Sequence, residues 1–150
     1  MQQSHAHGPP VGETAPDLSA PSTTHQTLDL DRFVGRVPVV VVFLAGLEDP
    51  GPTVRELDAL HLRFGEHRVQ LLLVVDRTIG ELVDLSQTSD TAVPLLADPA
   101  GRIADDYSVD VLPDEVTAVV IDAEGTVIET QRWQATGMDP VPLLERLTMT

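Results

Sequence analysis

Residues 38–75 decide the fold, and they read PVVVVFLAGLEDPGPTVRELDALHLRFGEHRVQLLLVV. The two ends of this stretch, Pro38–Leu44 and Val69–Val75, are almost entirely apolar, which is typical of strands buried on both faces. Between them, turn residues at Leu47–Pro52 break the first strand, and apolar residues then recur at helical spacing over Thr53–Gly65. The stretch therefore predicts a β–α–β unit with a crossover long enough for parallel pairing.

The chain beyond this unit predicts further helices, a short strand and an antiparallel hairpin. The expected elements are a helix at Ile79–Leu85, a strand at Val93–Ala97, a helix at Ala100–Tyr107 capped by Asp98, strands at Val116–Ile121 and Thr126–Trp133 joined by the turn Asp122–Gly125, and a helix after Asp139. A β–α–β half followed by a β–β–α half is the layout of the thioredoxin fold. We therefore expect an α/β protein with a thioredoxin-like central mixed β-sheet flanked by helices on both faces.

The N-terminal part of the chain is expected to be less regular. Residues 1–10 predict a disordered tail, and residues 11–150 predict a single thioredoxin-like domain. Pro, Ser and Thr are dense from Ala15 to Thr27, which is typical of a loop, so regular structure is expected to begin near Leu28.

Composition excludes several kinds of chemistry. The 150 residues contain no cysteine, which rules out disulfides, zinc–thiolate sites, iron–sulfur clusters and any thiol reaction of this chain. All nine basic residues are arginine, against 24 acidic residues, and the net charge of −15 repels phosphate, so no nucleic-acid partner is expected. The acidity fits either a high-salt environment or a GC-rich genome combined with a need for solubility.

Membrane insertion and export are not expected. The longest apolar run, Val37–Leu47, is about half as long as a membrane-spanning helix. The polar segment Met1–Gly8 is unlike a secretory or transit peptide, so we expect a cytoplasmic protein.

Five short segments, in order along the chain, resemble one known family. They are VGETAPDL at Val11–Leu18, RELDAL at Arg55–Leu60, LLAD at Leu95–Asp98, YSV at Tyr107–Val109 and VIDAEG at Val120–Gly125. Together they are similar to the peroxiredoxins of the alkyl hydroperoxide reductase and thiol-specific antioxidant (AhpC/TSA) family. The resemblance implies a thioredoxin fold and frequent dimerisation. Whether the peptide bond before Pro113 is cis is left open.

The chain departs from this family at its reactive centre. The resemblance implies a Pro, a Thr and a peroxidatic Cys before and within the first helical turn, and an Arg on a later strand. These four positions are occupied by Gly46, Pro50, Thr53 and Val116. The chain therefore resembles a peroxiredoxin that lacks the peroxidatic cysteine, and this argues against antioxidant peroxidase activity.

Thr53 cannot replace the missing thiol, because a hydroxyl cannot pass through the sulfenic acid step that splits a peroxide. A structural role is expected instead, since Thr53-Val54-Arg55-Glu56 fits a capping box that begins a helix. Shifting the alignment by one residue places Pro52 at the Cys and Asp49 at the Thr, and the conclusion does not change.

A pocket could persist where the reactive centre would have been. Its candidate lining is Asp49, Pro52, Thr53, Arg55 and Glu56. A helix N-terminus in such a pocket favours a small anionic ligand.

Other polar groups are expected to have ordinary structural roles. His61, on the apolar stripe of the predicted helix, is expected to be a core imidazole with a local hydrogen bond, and Arg55 and Asp58 a surface ion pair. His5 and His7 offer too few ligands for a metal site, so no metal is expected. A carboxylate group before the hairpin lacks calcium-loop spacing and is expected to be a solvated face: Asp105, Asp106, Asp110, Asp114 and Glu115.

Two functions of different classes fit this pattern. The first is a redox-inactive peroxiredoxin-like protein that keeps the fold for self-association, as a homodimer with a face near the former active site, or for binding a partner protein. The alternative is a non-redox enzyme or small-molecule binder that reuses the pocket, with Asp49, Thr53 or His61 as polar groups. No cofactor is expected, and whether the chain is an enzyme is left open.

Overall fold

The two apolar runs that decide the fold lie side by side as parallel strands at the centre of a five-stranded sheet. The computed structural model describes residues 9–24, 27–44, 46–109 and 115–134. The strands are β1 (Ser19–Pro21), β2 (Thr27–Asp29), β3 (Val39–Phe43), β4 (Gln70–Val75), β5 (Leu95–Ala97), β6 (Glu115–Ile121) and β7 (Val127–Gln134). The helices are α1 (Gly51–Glu66), α2 (Ile79–Ser89) and α3 (Arg102–Asp106), with a 3₁₀ turn at Leu30–Arg32.

The sheet is mixed, with the strand order β5-β4-β3-β6-β7. Strand β3 pairs in parallel with β4, which pairs in parallel with β5, and β3 pairs antiparallel with β6. Strands β6 and β7 form the predicted hairpin, with an irregularity between Val120 and Ile121. The expected thioredoxin-like fold with a mixed central sheet is confirmed.

Each face of the sheet buries its own apolar core, because successive side chains of a strand point to opposite faces. On β3, Val40 and Val42 belong to the core beneath α1 and α2. Val39, Val41 and Phe43 belong to the opposite core, which includes residues of α3 and the 3₁₀ turn. Helical elements therefore cover both faces, as expected.

A two-stranded hairpin, β1 with β2, lies in the segment predicted to be a loop. Regular structure therefore begins well before Leu28, and the expectation for Ala15–Thr27 was wrong. The residues after β1 cover the edge of β5, where Thr23 N–H donates to the Leu95 carbonyl oxygen at 3.0 Å. In return, Leu95 N–H donates to Thr23 Oγ1 at 3.1 Å. Covering an edge in this way hides backbone groups that would otherwise be open to another strand.

The capping box lies at α2 rather than at α1. Helix α1 begins at Gly51, so Thr53 is its third residue and not its N-cap. At α2, Glu81 N–H donates to Thr78 Oγ1 at 3.3 Å and Thr78 N–H donates to Glu81 Oε1 at 2.9 Å. The prediction of a box at Thr53 was wrong, because the helix already begins at Gly51 and Thr53 lies within its first turn.

The N-cap of α3 is Gly101 rather than the predicted Asp98, and the helix is shorter than predicted, although Asp98 still binds its first turn. Asp98 is 5% exposed and its carboxylate accepts hydrogen bonds from the backbone N–H groups of Ile103 and Ala104. This places a buried acceptor against the first turn of α3, where backbone donors lack helical partners.

Several predicted features lie outside the described residues. They are residues 1–8 of the predicted tail with His5 and His7, the carboxylates Asp110 and Asp114, Pro113, and the helix after Asp139. Of the tail, Pro9 and Pro10 are described, and Pro9 is buried. Within the described ranges, no helix has the length and apolar character needed to cross a membrane.

Candidate functional site

Three segments of the chain meet at the end of the sheet where strands β3 and β4 finish. Because β3 and β4 are parallel, their carboxyl ends meet there, and the antiparallel β6 begins at the same edge. The segments are residues 46–50, called the β3–α1 loop below, the pair Asp76 and Arg77 after β4, and Val116 near the start of β6.

The β3–α1 loop is held by hydrogen bonds from the residues that follow β4. Gly46 N–H donates to Asp76 Oδ2 at 3.2 Å. Arg77 donates from Nη2 to the Leu47 carbonyl oxygen at 2.8 Å and to the Glu48 carbonyl oxygen at 3.4 Å. Arg77 Nη1 also pairs with Asp76 Oδ1 at 2.7 Å. A carboxylate and a guanidinium therefore bind both donors and acceptors of the same loop.

Sequence reasoning missed Asp76 and Arg77. The available signal was their position, directly after the apolar run of β4 and next to the strand that leads into the loop. Polar residues at the carboxyl end of a parallel strand commonly contribute to sites at that edge.

The start of α1 is closed to an additional anion. Asp49 Oδ1 accepts a hydrogen bond from Gly51 N–H at 3.1 Å. Pro52, the second residue of α1, has no N–H to donate. Two of the first three backbone nitrogens of the helix are therefore unable to bind a ligand, and a carboxylate already stands beside them.

Thr53, where the resemblance implies the peroxidatic cysteine, faces the interior. The residue is 5% exposed in the first turn of α1, whereas Pro52, Arg55 and Glu56 around it are exposed. The candidate pocket residues thus divide between one buried hydroxyl and four exposed residues, since Asp49 is also exposed. A pocket formed by all five stays a prediction.

Val116, where the resemblance implies an arginine, is part of the apolar core. Its side chain is fully buried in the cluster that includes Val54 of α1. Across the hairpin it stands opposite Trp133, which packs against the same cluster. This position supplies hydrophobic contact where the resemblance implies a cation.

Asp58 binds backbone groups rather than Arg55. Its Oδ1 accepts hydrogen bonds from Ala92 N–H and Val93 N–H, both at 2.9 Å. Among the described residues, Arg55 forms no ion pair with it, so the expected surface pair was wrong. The Asp58 carboxylate instead ties α1 to the segment between α2 and β5, because those amides lie within its reach.

The remaining predicted groups have mixed outcomes. His61 is half-buried, and within the described part of the chain its enclosed Nδ1 has no hydrogen-bond partner, so the expected local bond is not found there. Asp105 and Asp106 are exposed, as a solvated face requires, but Glu115 is half-buried and pairs with Arg132. In the described ranges, no group of three or more His, Asp or Glu side chains could hold a metal ion.

A shallow cleft of about 240 Å³ lies beyond β5, between β1 and the start of α3. Its lining includes Ser19, Pro21, Asp98, Arg102 and Ile103. The carboxylate of Asp98 is committed to the backbone of α3, so the cleft offers a ligand little beyond the exposed guanidinium of Arg102.

The comparison with known families agrees with this geometry. The sequence profile of the AhpC/TSA family matches residues 11–130, which is most of the chain. A search of curated protein sequences found no match.

Solved structures of peroxiredoxins share the fold at low sequence identity. A PrxQ mutant of Xylella fastidiosa has a TM-score of 0.79 and 15% identity, with 98% of each chain covered. The reduced 2-Cys peroxiredoxin of Plasmodium vivax has a TM-score of 0.75 and 22% identity, covering 93% of this chain and 94% of its own. The peroxidoxin BcpB of Mycobacterium tuberculosis has a TM-score of 0.70 and 21% identity, covering 86% and 88%.

Proposed function

Because the chain belongs to the AhpC/TSA family but contains no cysteine, we propose that it is a redox-inactive, peroxiredoxin-like pseudoenzyme that binds other protein chains. The binding is either self-association as a homodimer or association with a partner protein. The observation that carries the first part is the buried Thr53 in the first turn of α1, where the family chemistry needs a thiolate.

The surroundings of Thr53 support the loss of peroxide chemistry. A peroxidatic group must meet its substrate, and Thr53 is 5% exposed. The family arginine is replaced by the fully buried Val116, so no cation at that position can lower a pKa or orient a peroxide. The proposed loss of activity therefore involves access and charge around Thr53 as well as the missing sulfur atom.

The proposed interface lies around the start of α1. The exposed residues there are Glu48, Asp49, Pro52, Arg55 and Glu56, and the loop that carries the first two is held in place by Asp76 and Arg77. A surface that is already fixed loses less conformational entropy when it binds a partner than a mobile surface does.

Three measurements test the proposal. Hydrogen peroxide and an alkyl hydroperoxide, offered with a dithiol reductant, should be consumed no faster than in a protein-free control. Sedimentation equilibrium of the purified chain, and native mass spectrometry of the protein isolated gently from its host, should show a dimer or a complex with another polypeptide. Peroxide turnover above the control would contradict the proposed redox inactivity. A lone monomer in both preparations would contradict the proposed binding of other chains.

Charge reversal on α1 tests the location of the interface. Arg55→Glu combined with Glu56→Arg leaves the net charge unchanged and should weaken the association. The matched control is Arg63→Glu with Glu66→Arg, which makes the same exchange at exposed positions at the other end of α1. Equal weakening by both pairs would show that the interface is elsewhere.

The small-molecule alternative has less support from the geometry. Asp49 already occupies the Gly51 amide and Pro52 offers no amide, so the helix start is a poor site for an anion. Native mass spectrometry would reverse this preference if the protein carried a bound low-mass ligand from its host.

A further inference from the structure

We propose that Asp76 and Arg77 form a lock that holds the β3–α1 loop in one conformation. The lock is a conformational device of the fold and does not depend on the proposed function. Its members follow β4, and the loop that they hold follows β3, some thirty residues earlier in the chain.

The lock binds both hydrogen-bond donors and hydrogen-bond acceptors of the loop backbone. The Asp76 carboxylate accepts from Gly46 N–H, while the Arg77 guanidinium donates to the carbonyl oxygens of Leu47 and Glu48. The 2.7 Å contact between the two side chains fixes each of them in the orientation needed for its own bonds. Displacing the loop would therefore break several bonds together, including hydrogen bonds to charged groups, which are the stronger kind.

The loop benefits from such a lock because it begins at a glycine, whose backbone is freer than that of any other residue. Gly46 has φ of +83°, a left-handed value that residues with a side chain rarely adopt. Leu47 is 4% exposed and joins the core beneath α1, while the next two residues, Glu48 and Asp49, are exposed. Pinning the carbonyl of Leu47 keeps its side chain inward and the two carboxylates outward.

Arginine suits this position better than lysine. A planar guanidinium can direct one nitrogen to a carboxylate and the other to backbone carbonyls at the same time, whereas an ammonium group is a compact point charge. Arg77 uses Nη1 for Asp76 and Nη2 for the loop. Lysine should therefore preserve part of the lock and lose the rest.

Hydrogen exchange of the intact chain, resolved along the sequence, tests this proposal. In Arg77→Gln we expect the hydrogen-bonded amides of Gly46, Gly51 and Val54 to exchange faster by on the order of tenfold, because the bonds that hold the loop are lost. Amides of β4, at 71–75, should slow or accelerate only as global stability changes. Arg77→Lys should give an intermediate acceleration, and Arg63→Gln, at an exposed position on α1, should give none.

Asp76→Asn provides a second test should Arg77→Gln fold poorly, since it removes the charge with little change of shape. It should also accelerate exchange at the same three amides selectively. Unchanged exchange of the loop in a folded Arg77 or Asp76 variant would overturn the lock. Acceleration of the loop and β4 by the same factor would also overturn it, because the pair would then contribute only to global stability.

Discussion

The hydroxyl of Tyr107 donates a hydrogen bond to the carbonyl oxygen of Pro16, with the two oxygens 2.6 Å apart. The bond joins two of the short segments that indicated the family, although the two residues are 91 positions apart. The Tyr107 ring is fully buried and lies 5.6 Å from the Phe43 ring, between centroids. One side chain thus fastens the N-terminal segment to the central strand.

Tyr107→Phe should lower the free energy of unfolding by about 1 kcal/mol near neutral pH, because the ring contact remains and one hydrogen bond is lost. Urea titration monitored by circular dichroism measures this difference. A variant as stable as the parent chain would show that the bond to Pro16 contributes nothing to the fold.

The same substitution should change the response to alkaline pH. Burial, with smaller effects from the charges of Asp17 and Asp106, raises the pKa of Tyr107 above its ordinary value of 10. A raised pKa keeps the proton in the folded state, so its contribution is present below pH 10 and is lost as pH rises further. The stability difference between the parent and Tyr107→Phe should therefore shrink above pH 10, and a constant difference would contradict the assigned cause.

Asp58→Ala should destabilise the protein by about 1 to 3 kcal/mol, since it removes the acceptor for two backbone N–H groups. One of these groups belongs to Val93, which is buried. Asp58→Asn keeps an acceptor oxygen and should recover much of the loss. Asp84→Ala, at an exposed position on α2, is the control for removing a helical carboxylate. Equal urea midpoints for the Asp58 and Asp84 alanine variants would exclude the bonding role.

The central fold could be predicted because its signal is local. Strands β3 and β4 are long apolar runs, and strands β6 and β7 flank the turn residues Asp122–Gly125, so the local sequence identifies them. Strands β1 and β2 have three residues each, too few for a periodic signal, and β1 ends in Pro21. They were missed because a hairpin this small is stabilised by contacts with β5 and the rest of the fold.

The candidate site could be predicted only where the family resemblance named a position. Thr53 and Val116 were proposed in this way and stay predictions as site positions, whereas the capping role given to Thr53 was wrong because the helix begins two residues earlier. The bonds made by Asp58 and Asp76 span 35 and 30 positions. No local pattern encodes which distant amide a carboxylate will meet, so these contacts required the structure.

Glu81→Gln tests the capping box of α2 through its pH dependence. Hydrogen bonds from the Thr78 backbone and side chain, in that order of importance, lower the pKa of Glu81 below its ordinary 4.5. A lowered pKa stabilises the folded state above pH 4.5, and the contribution is lost as pH falls through the folded-state pKa. Urea unfolding should thus show the parent to be more stable than Glu81→Gln at pH 6, with the difference vanishing in acid. If the difference in stability grew in acid instead, the pKa of Glu81 would be raised rather than lowered by folding, and the capping box would be refuted.

Thr53→Cys asks whether the start of α1 can activate a thiol. The new thiol would occupy a position that is 5% exposed, with the apolar Val116 where the resemblance implies an arginine. Because burial in apolar surroundings disfavours the thiolate, we expect the thiol to react slowly with hydrogen peroxide and with a thiol-specific dye.

Leu62→Cys is the matched control, since it places a thiol on the same helix at a residue that is 74% exposed. Each variant then carries one cysteine in an otherwise cysteine-free chain. Sulfenic acid formation, trapped and counted by mass spectrometry, should be slower in Thr53→Cys than in Leu62→Cys by on the order of tenfold, because the buried position has less thiolate and less access to peroxide. Faster oxidation at Thr53→Cys would mean that the start of α1 still activates a thiol towards peroxide. The missing sulfur atom alone would then prevent peroxide chemistry, and neither the burial of Thr53 nor the apolar Val116 would contribute to it.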